Sequence, residues 1–252
     1  MLKFSIITVV YNRVDMIANT LHSIQSQNYK NYEHIIIDGA SVDGTLEILK
    51  KYEADNDNVV LVSEKDEGIY DALNKGIRCA KGDVIGVIHS DDIYAYDAVL
   101  TDVATELADP EVDAVYADAV FYREENPDNV VRRYSSRRFS PDKLAWGWMP
   151  AHTTLFLRKK VFEQFGFYKT DYKIAADFEF IARIFKSGQI QSVYLPKVLL
   201  RMAIGGVSTA GFKNTIRLNQ EVLRACNENQ IKTNIIKILS KYPLKILEFV
   251  KP

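Results

Sequence analysis

The sequence predicts an α/β fold, doubly wound, with a mostly parallel sheet flanked by helices and a C-terminal helical appendage. Three observations predict it. Apolar runs of strand length alternate with segments of helical periodicity over residues 4–88. Those runs are apolar on both sides, as strands covered on both faces are. Each run also ends in polar residues, and open parallel sheets bind ligands beyond the carboxyl ends of their strands.

The elements follow in order. "FSIITVVY" reads as a buried strand ending in Tyr11, Asn12 and Arg13. "VDMIANTLHSIQSQ" reads as an amphipathic helix with Val14, Ile17, Leu21 and Ile24 on one face. "EHIIID" is a second strand, closing on Asp38 and Gly39, and "SVDGTLEILKKY" a helix with Ser41 or Asp43 near its start. "NVVLVSE" is a third strand, running into Glu64, Lys65 and Asp66. "GIYDALNKGIRCA" is a helix whose N-terminus, near Ile69, suits an anion. Its Asn74 and Lys75 are candidate phosphate or sugar contacts, with a solvated helix face as the other reading of Lys75. "DVIGVIH" is a fourth strand that runs straight into Ser90, Asp91 and Asp92, with a helix expected from near Tyr94.

Composition narrows the function. The chain has 252 residues, 47% of them hydrophobic, and a formal net charge of −1. That balance suits a sizeable core and argues against a nucleic-acid partner. Cys79 and Cys226 make no disulfide framework, which suits a reducing cytosol. The opening run carries no signal-peptide cleavage pattern, and no run reaches the roughly 18 apolar residues of a membrane span. A cytoplasmic protein is expected.

The adjacent carboxylates carry the chemistry. Side by side they repel and raise each other's pKa. A divalent cation relieves that, and hard Asp oxygens favour Mg²⁺ or Mn²⁺, which complete their shells with water and substrate phosphates. Capping of the following helix is the structural alternative for a single Asp. No Gly-x-x-x-x-Gly-Lys-Ser/Thr loop and no Gly-x-Gly-x-x-Gly turn follows the first strand, so phosphate is not held as in those nucleotide folds.

The ordered series "SIITVVYNR", "IIIDGASVDGT", "SEKDEGIYDALNKGI", "GDVIGVIHSDDIY", "AHTTLFLRKKVFEQFGFY" and "AADFEFIARI" resembles the inverting family 2 glycosyltransferases of GT-A fold. The resemblance implies a nucleoside diphosphate sugar donor, weighted towards UDP, and Mn²⁺ or Mg²⁺. It implies Asp92 as metal ligand, and Asp91 at the ribose or the metal. Tyr11 would stack on the base, Arg13 would lie near it, and Asp38 would accept a uracil N–H. The family's "DDGS" is "DGAS" here, so its second Asp is missing. It implies Asp177 as the base that takes the acceptor's proton, with Glu179 as second candidate and helix capping as the structural alternative. Ala176 stands where the family has Glu. The family's Arg-x-His is Arg201, Met202, Ala203 here.

The second half is less regular. "REENPDNVVRRYSSRRF" reads as a hairpin or crossing whose Arg132, Arg133, Arg137 and Arg138 are either a solvated face or a greeting for an anionic acceptor. Trp146 and Trp148 suit either a sugar or the core. Gly205 and Gly206 suggest a mobile loop. In the tail, Lys232, Lys237, Lys241, Lys245 and Lys251 accompany Ile235, Ile236, Leu239, Leu244, Leu247 and Phe249, with Glu248. That pattern suits either peripheral contact with an anionic membrane or packing on protein. The expected division is a catalytic domain over 1–210, with 1–110 for the donor and 111–210 for the acceptor and base, and a helical tail over 211–252. The expected activity is a metal-dependent inverting hexosyl transfer to a saccharide acceptor, lipid-diphosphate-linked, in surface polysaccharide synthesis. A sugar nucleotidyltransferase and a non-catalytic sugar-nucleotide binding module are the alternatives.

Overall fold

The computed structural model describes residues 1–123, 126–204 and 212–246. The first half builds the expected alternation. β1 (Phe4–Val10), β2 (Tyr32–Asp38), β3 (Val59–Ser63) and β4 (Val84–Val87) run parallel. They are linked by α1 (Ile17–Gln25), α2 (Thr45–Ala54) and α3 (Ile69–Cys79). β1 and β2 are buried along their whole length, as continuous apolar strands must be.

The second half adds β5 (Asp92–Tyr94), α4 (Val99–Glu106), β6 (Ala114–Arg123), β7 (Asn126–Tyr134), β8 (Phe156–Arg158), α5 (Lys159–Phe165), α6 (Ala176–Lys186) and β9 (Ser192–Ala203). Among the described residues the sheet has nine strands in the order β3-β2-β1-β4-β8-β6-β9-β5, with β7 paired to β6 off that path. β6 and β9 are parallel to each other, whereas β5, β7 and β8 are antiparallel to their neighbours. Of the arginine-rich stretch, Arg132 and Arg133 lie on β7, which pairs with β6, while Arg137 and Arg138 follow it.

Alternation of side chains divides the core between the two faces. Ile7, Val9, Ile35 and Ile37 pack with α3 and α6. Phe4, Ile6 and Val84 pack with α4, and Val10 and Ile36 with Ile17, Leu21 and Leu49 of α1 and α2. Gly86 of β4 leaves room for the Phe156 ring of β8 to approach the strand closely. A Cβ there would sit 2.5 Å from Phe156 Cε1.

One expectation changes. Tyr94 ends β5 and does not start a helix; α4 begins only at Val99. Asp91 and Asp92 therefore cap nothing. Of the two readings of the tail, its first part packs partly on protein. After α7 (Phe212–Glu228), α8 (Ile235–Leu239) buries Ile238 completely, while Ile235, Ile236 and Leu239 stay exposed. α9 (Lys241–Ile246) follows. Gly205, Gly206, Leu247, Glu248, Phe249 and Lys251 lie outside the described residues, as do the side chains of Leu244 and Lys245. Among the described residues no helix is long and apolar enough to cross a membrane.

Candidate active site

The parallel register lines up the strand ends. Val10, Asp38 and Ser63 are cross-strand neighbours at the carboxyl ends of β1, β2 and β3. Asn12 takes a left-handed φ of 49°, which Asn tolerates better than most residues. From there its N–H donates to Ser41 Oγ at 2.8 Å and its Oδ1 accepts from Val42 N–H at 2.9 Å. The turns after β1 and β2 are thereby tied together.

At this end of the crevice Tyr11 is 59% exposed, and Arg13 is exposed beside it. Asp38 is placed differently from a base-reading residue. It is fully buried, and its carboxylate accepts from Ser41 N–H at 3.1 Å and Ser63 Oγ at 2.7 Å. Those bonds close the turn and leave Asp38 no surface. Asn74 is likewise committed. Its amide donates to Tyr168 O at 2.8 Å and accepts from Tyr168 N–H at 3.0 Å, pinning a segment 94 residues away. Lys75 pairs with Glu64 at 2.8 Å and Asp71 at 3.4 Å, so its charge is already answered inside the β3–α3 region.

The carboxylate pair sits at the other end. Asp92 is 4% exposed, and burial first, then the neighbouring Asp91, pushes its carboxyl well above the usual range. Asp91 is half-buried. Thr20 Oγ1 of α1 donates to the Asp92 carbonyl at 2.7 Å, fixing the backbone there.

Asp177 lies in the first turn of α6, where the helix dipole favours a negative charge. No side chain caps that helix. Instead Glu221 of α7 accepts from the N–H groups of Lys173, Ile174 and Ala175, which holds the entry to α6. Burial pushes the Asp177 carboxyl up to about 6, against hydrogen bonds that lower it. Its Oδ1 lies 3.5 Å from Tyr70 Oη of α3, and its Oδ2 lies 3.2 Å from His152 Nδ1. Glu179, two residues on, is fully buried and bound by Lys169 at 3.0 Å and Arg183 at 2.9 Å. It is a structural ion-pair centre.

His152 and His89 are the residues the sequence did not single out for chemistry. Their Nε2 atoms lie 2.8 Å apart. Burial pushes both imidazoles down to about 4, so both are neutral near pH 7. Of two neutral rings in such contact, one donates and one accepts. An ionised Asp177 takes the Nδ1 proton of His152, which makes His152 Nε2 the acceptor and His89 Nε2 the donor. His89 Nδ1, which is enclosed and has no partner among the described residues, is then the bare nitrogen. Asp177 thus connects through two rings to the residue that precedes Ser90, Asp91 and Asp92. The only sequence signal was that His89 and His152 fall inside two of the motif stretches.

The arginines divide. Arg133 binds buried Asp118 through Nε at 3.1 Å and Nη2 at 2.8 Å, while Arg137 and Arg138 are exposed. Asp118, Arg133, Ser135, Arg137 and Tyr194 line an open groove of about 650 Å³. Trp146, 41% exposed, lies under Lys237 Nζ at 5.5 Å, against the tail.

Comparison with known proteins gives the family. The sequence profile described as Glycosyl transferase family 2 matches residues 5–166. A PGL/p-HBAD biosynthesis glycosyltransferase of Mycobacterium bovis (strain BCG / Pasteur 1173P2) is 28% identical over 227 residues, covering 88% of this chain and 82% of that protein. The crystal structure of S. aureus TarS 1-349 in complex with UDP-GlcNAc superposes with a TM-score of 0.73 at 18% identity, covering 98% of this chain and 73% of that one. The mannosyltransferase PcManGT from Pyrobaculum calidifontis, in complex with GDP-Man and Mn²⁺, gives 0.67 at 22% identity, over 95% and 68%. At those identities the two structures establish the GT-A fold. With the profile spanning most of the chain and the sheet in place, this protein belongs to glycosyl transferase family 2.

Proposed function

We propose that the chain is a metal-dependent inverting glycosyltransferase that moves a hexosyl group from a UDP-sugar to a saccharide acceptor carried on a lipid diphosphate, for a surface polysaccharide. Residues 1–110 hold the donor, 111–210 supply the acceptor side and the base, and 211–252 form a tail that brings the enzyme to an anionic membrane from the cytoplasm. The observation that carries the reading is Asp177, a crevice carboxylate with a pKa raised to about 6, linked through His152 and His89 to the carboxylate pair.

Asp92 and Asp91 fit a divalent cation. Burial and the neighbouring Asp91 both disfavour a charged Asp92, a cost that a cation would relieve. Two carboxylates suffice for Mg²⁺ or Mn²⁺, ions that draw much of their shell from phosphate and water. Such an ion would take up charge on the departing diphosphate.

Asp177 removes the acceptor hydroxyl proton as that oxygen bonds to the anomeric carbon. The bond from that carbon to the diphosphate breaks, and its electron pair leaves with the nucleoside diphosphate. One displacement on the face opposite the leaving group inverts the centre. His152, 3.2 Å away, aims Asp177. Names of relatives support the setting: one acts in PGL/p-HBAD biosynthesis, and bound ligands of the structural neighbours are UDP-GlcNAc and GDP-Man with Mn²⁺.

The test is acceptor-dependent release of UDP with Mn²⁺ present, with the anomeric configuration of the product read by NMR. Asp177→Asn should lower turnover by a factor on the order of a hundred or more while donor binding persists. UDP release without any acceptor, a retained configuration, or near-normal turnover in that variant would sink the reading.

A further inference from the structure

α6 begins on a residue that cannot cap it. Ala175 stands at its N-cap and has no side-chain acceptor for the N–H groups of the first turn. Asp177 itself takes the N–H of Phe178 at 2.8 Å. The approach to the helix is held from another element. Glu221 of α7 accepts from Lys173 N–H at 3.0 Å through Oε1, and from Ile174 N–H at 2.8 Å and Ala175 N–H at 2.9 Å through Oε2. Three successive N–H groups converge on one carboxylate, as in a backbone anion nest. α3 grips the same segment: Tyr70 Oη donates to Ile174 O at 2.5 Å, and Asn74 holds the Tyr168 backbone.

Glu221 and Glu228 stand about two helical turns apart, on one face of α7. They are used differently. Glu228 is paired with Lys169 at 2.7 Å and Arg224 at 2.6 Å. Glu221 pairs with no basic side chain among the described residues, so no cation answers its charge. Ala175, whose N–H it binds, is two residues from Asp177. Burial first, then hydrogen bonds from the backbone and Tyr70, and last the charge of Glu221, together put the Asp177 carboxyl at about 6. The groups that face Asp177 are Tyr70 of α3, Tyr168, His152 with His89 behind it, and Glu221 of α7. Glu221 is the one carboxylate among them.

We propose that Glu221 is a positioning residue for the base: through it α7 clamps the entry to α6, aims Asp177 and sets a second carboxylate beside the same helix end. The proposal rests on the reading of Asp177 as the base. It takes α7 out of the tail and makes it part of the catalytic unit. Loss of the clamp frees the segment that aims Asp177, and a catalytic group misplaced by about 1 Å can cost about a hundredfold in rate. Loss of the charge alone removes a like-charge neighbour, so Asp177 ionises more easily and becomes the weaker base.

Carbon NMR of the full chain, free of metal and nucleotide, tests it. The side-chain carboxyl signal of Asp177, assigned by its absence in Asp177→Asn, should titrate at about 6 in the wild type. In Glu221→Gln, which keeps the size and one acceptor oxygen but not the charge, the midpoint should move to lower pH. Glu228→Gln, on the same helix face, should leave it in place. Amide hydrogen exchange at Lys173, Ile174 and Ala175 should quicken about tenfold or more in Glu221→Ala, and less in Glu221→Gln. In the transfer assay above, Glu221→Ala should lower kcat about tenfold or more with donor KM unchanged, and Glu221→Gln should recover most of that loss above about pH 7. An unmoved Asp177 midpoint in Glu221→Gln, an equal shift in Glu228→Gln, or near-normal kcat in Glu221→Ala would each overturn the proposal. If Glu221→Ala does not fold, the Glu221→Gln midpoint still decides. Near-normal turnover in Asp177→Asn would instead bring down the base reading, so the two failures are told apart.

Discussion

His152 Nδ1 stands 3.2 Å from Asp177 Oδ2, although the two residues come from a short 3₁₀ turn and from the first turn of α6. The contact does two things for a carboxylate raised to about 6. It aims the group, and the enclosing ring helps keep water from it, while the bonds that hold its pKa from rising further come from the Phe178 and Asp177 backbone and from Tyr70. Removing the ring should therefore lower turnover without weakening the donor. His152→Ala should show a fall in kcat with donor KM little changed, and His152→Asn, which keeps a donor near Asp177, should recover part of the loss. A variant with near-normal kcat would leave His152 a packing residue only.

Asp92 sets function against stability. Burial and Asp91 both disfavour its charged form in the protein alone. Asp92→Asn keeps the shape and cannot ionise, so it should raise the melting temperature in EDTA increasingly as pH rises above the ordinary Asp range, by about 2–4 °C for each kcal/mol relieved. The same variant should lose any thermal shift that Mn²⁺ gives the wild type. Scanning calorimetry with EDTA and with Mn²⁺ reads both effects, and a destabilised metal-free variant would contradict the argument.

Gly86 makes a purely steric prediction. A methyl group on it would enter the Phe156 ring, with contacts of 2.5 Å and 2.8 Å. Gly86→Ala should destabilise the fold by about 1–3 kcal/mol, the usual cost of overpacking a tight core. Urea unfolding measures it, with the midpoint expected to fall and the slope to hold.

His34 gives a pH dependence with a definite sign. It is fully buried between Thr8 Oγ1 at 2.9 Å and Tyr52 Oη at 3.4 Å, and burial pushes its pKa down to about 3. The folded value lies below the unfolded one of about 6.5, so the unfolded chain holds more protons in that window. Stability is full above about 6.5 and falls as pH drops towards 3, by about 1.4 kcal/mol per unit for this residue. His34→Gln should flatten the slope by one proton between pH 6 and 4, as measured by urea unfolding at stepped pH. An unchanged slope would show that the ring already titrates freely.

The sequence made β1 to β4 legible because strands covered on both faces are written as unbroken apolar runs. β5 and β8 were not, since strands of three residues carry too little pattern to be told from turns. Asp91, Asp92 and Asp177 stood out as candidates because motif spacing is readable in one dimension. Asn74 was misjudged because its partner, the Tyr168 backbone, is 94 residues away, and polarity alone looked like availability. Asp38 misled for the same reason: a polar residue at a strand end can be the floor of a site rather than its surface. The His89–His152 pair emerges only when separate strand ends are brought side by side, and Glu221 only when α7 folds back onto the entry to α6.

The short link between β4 and β5 has a consequence for the shape of the crevice. Only residues 88–91 separate Val87 from Asp92, yet β5 is the fourth strand along from β4 in the sheet order. Laid flat, four strand spacings come to roughly 19 Å, whereas five fully extended residue steps reach at most about 18 Å. A flat sheet would leave the chain too short. The sheet must therefore curl until its β5 edge approaches the end of β4; Asp91 is the last residue of the tether that spans the gap and Asp92 the first of β5. The length of this tether, as much as any contact, sets where Asp91 and Asp92 stand. A residue inserted between His89 and Ser90 would slacken the span and free the pair to drift, with every side chain in the site still present.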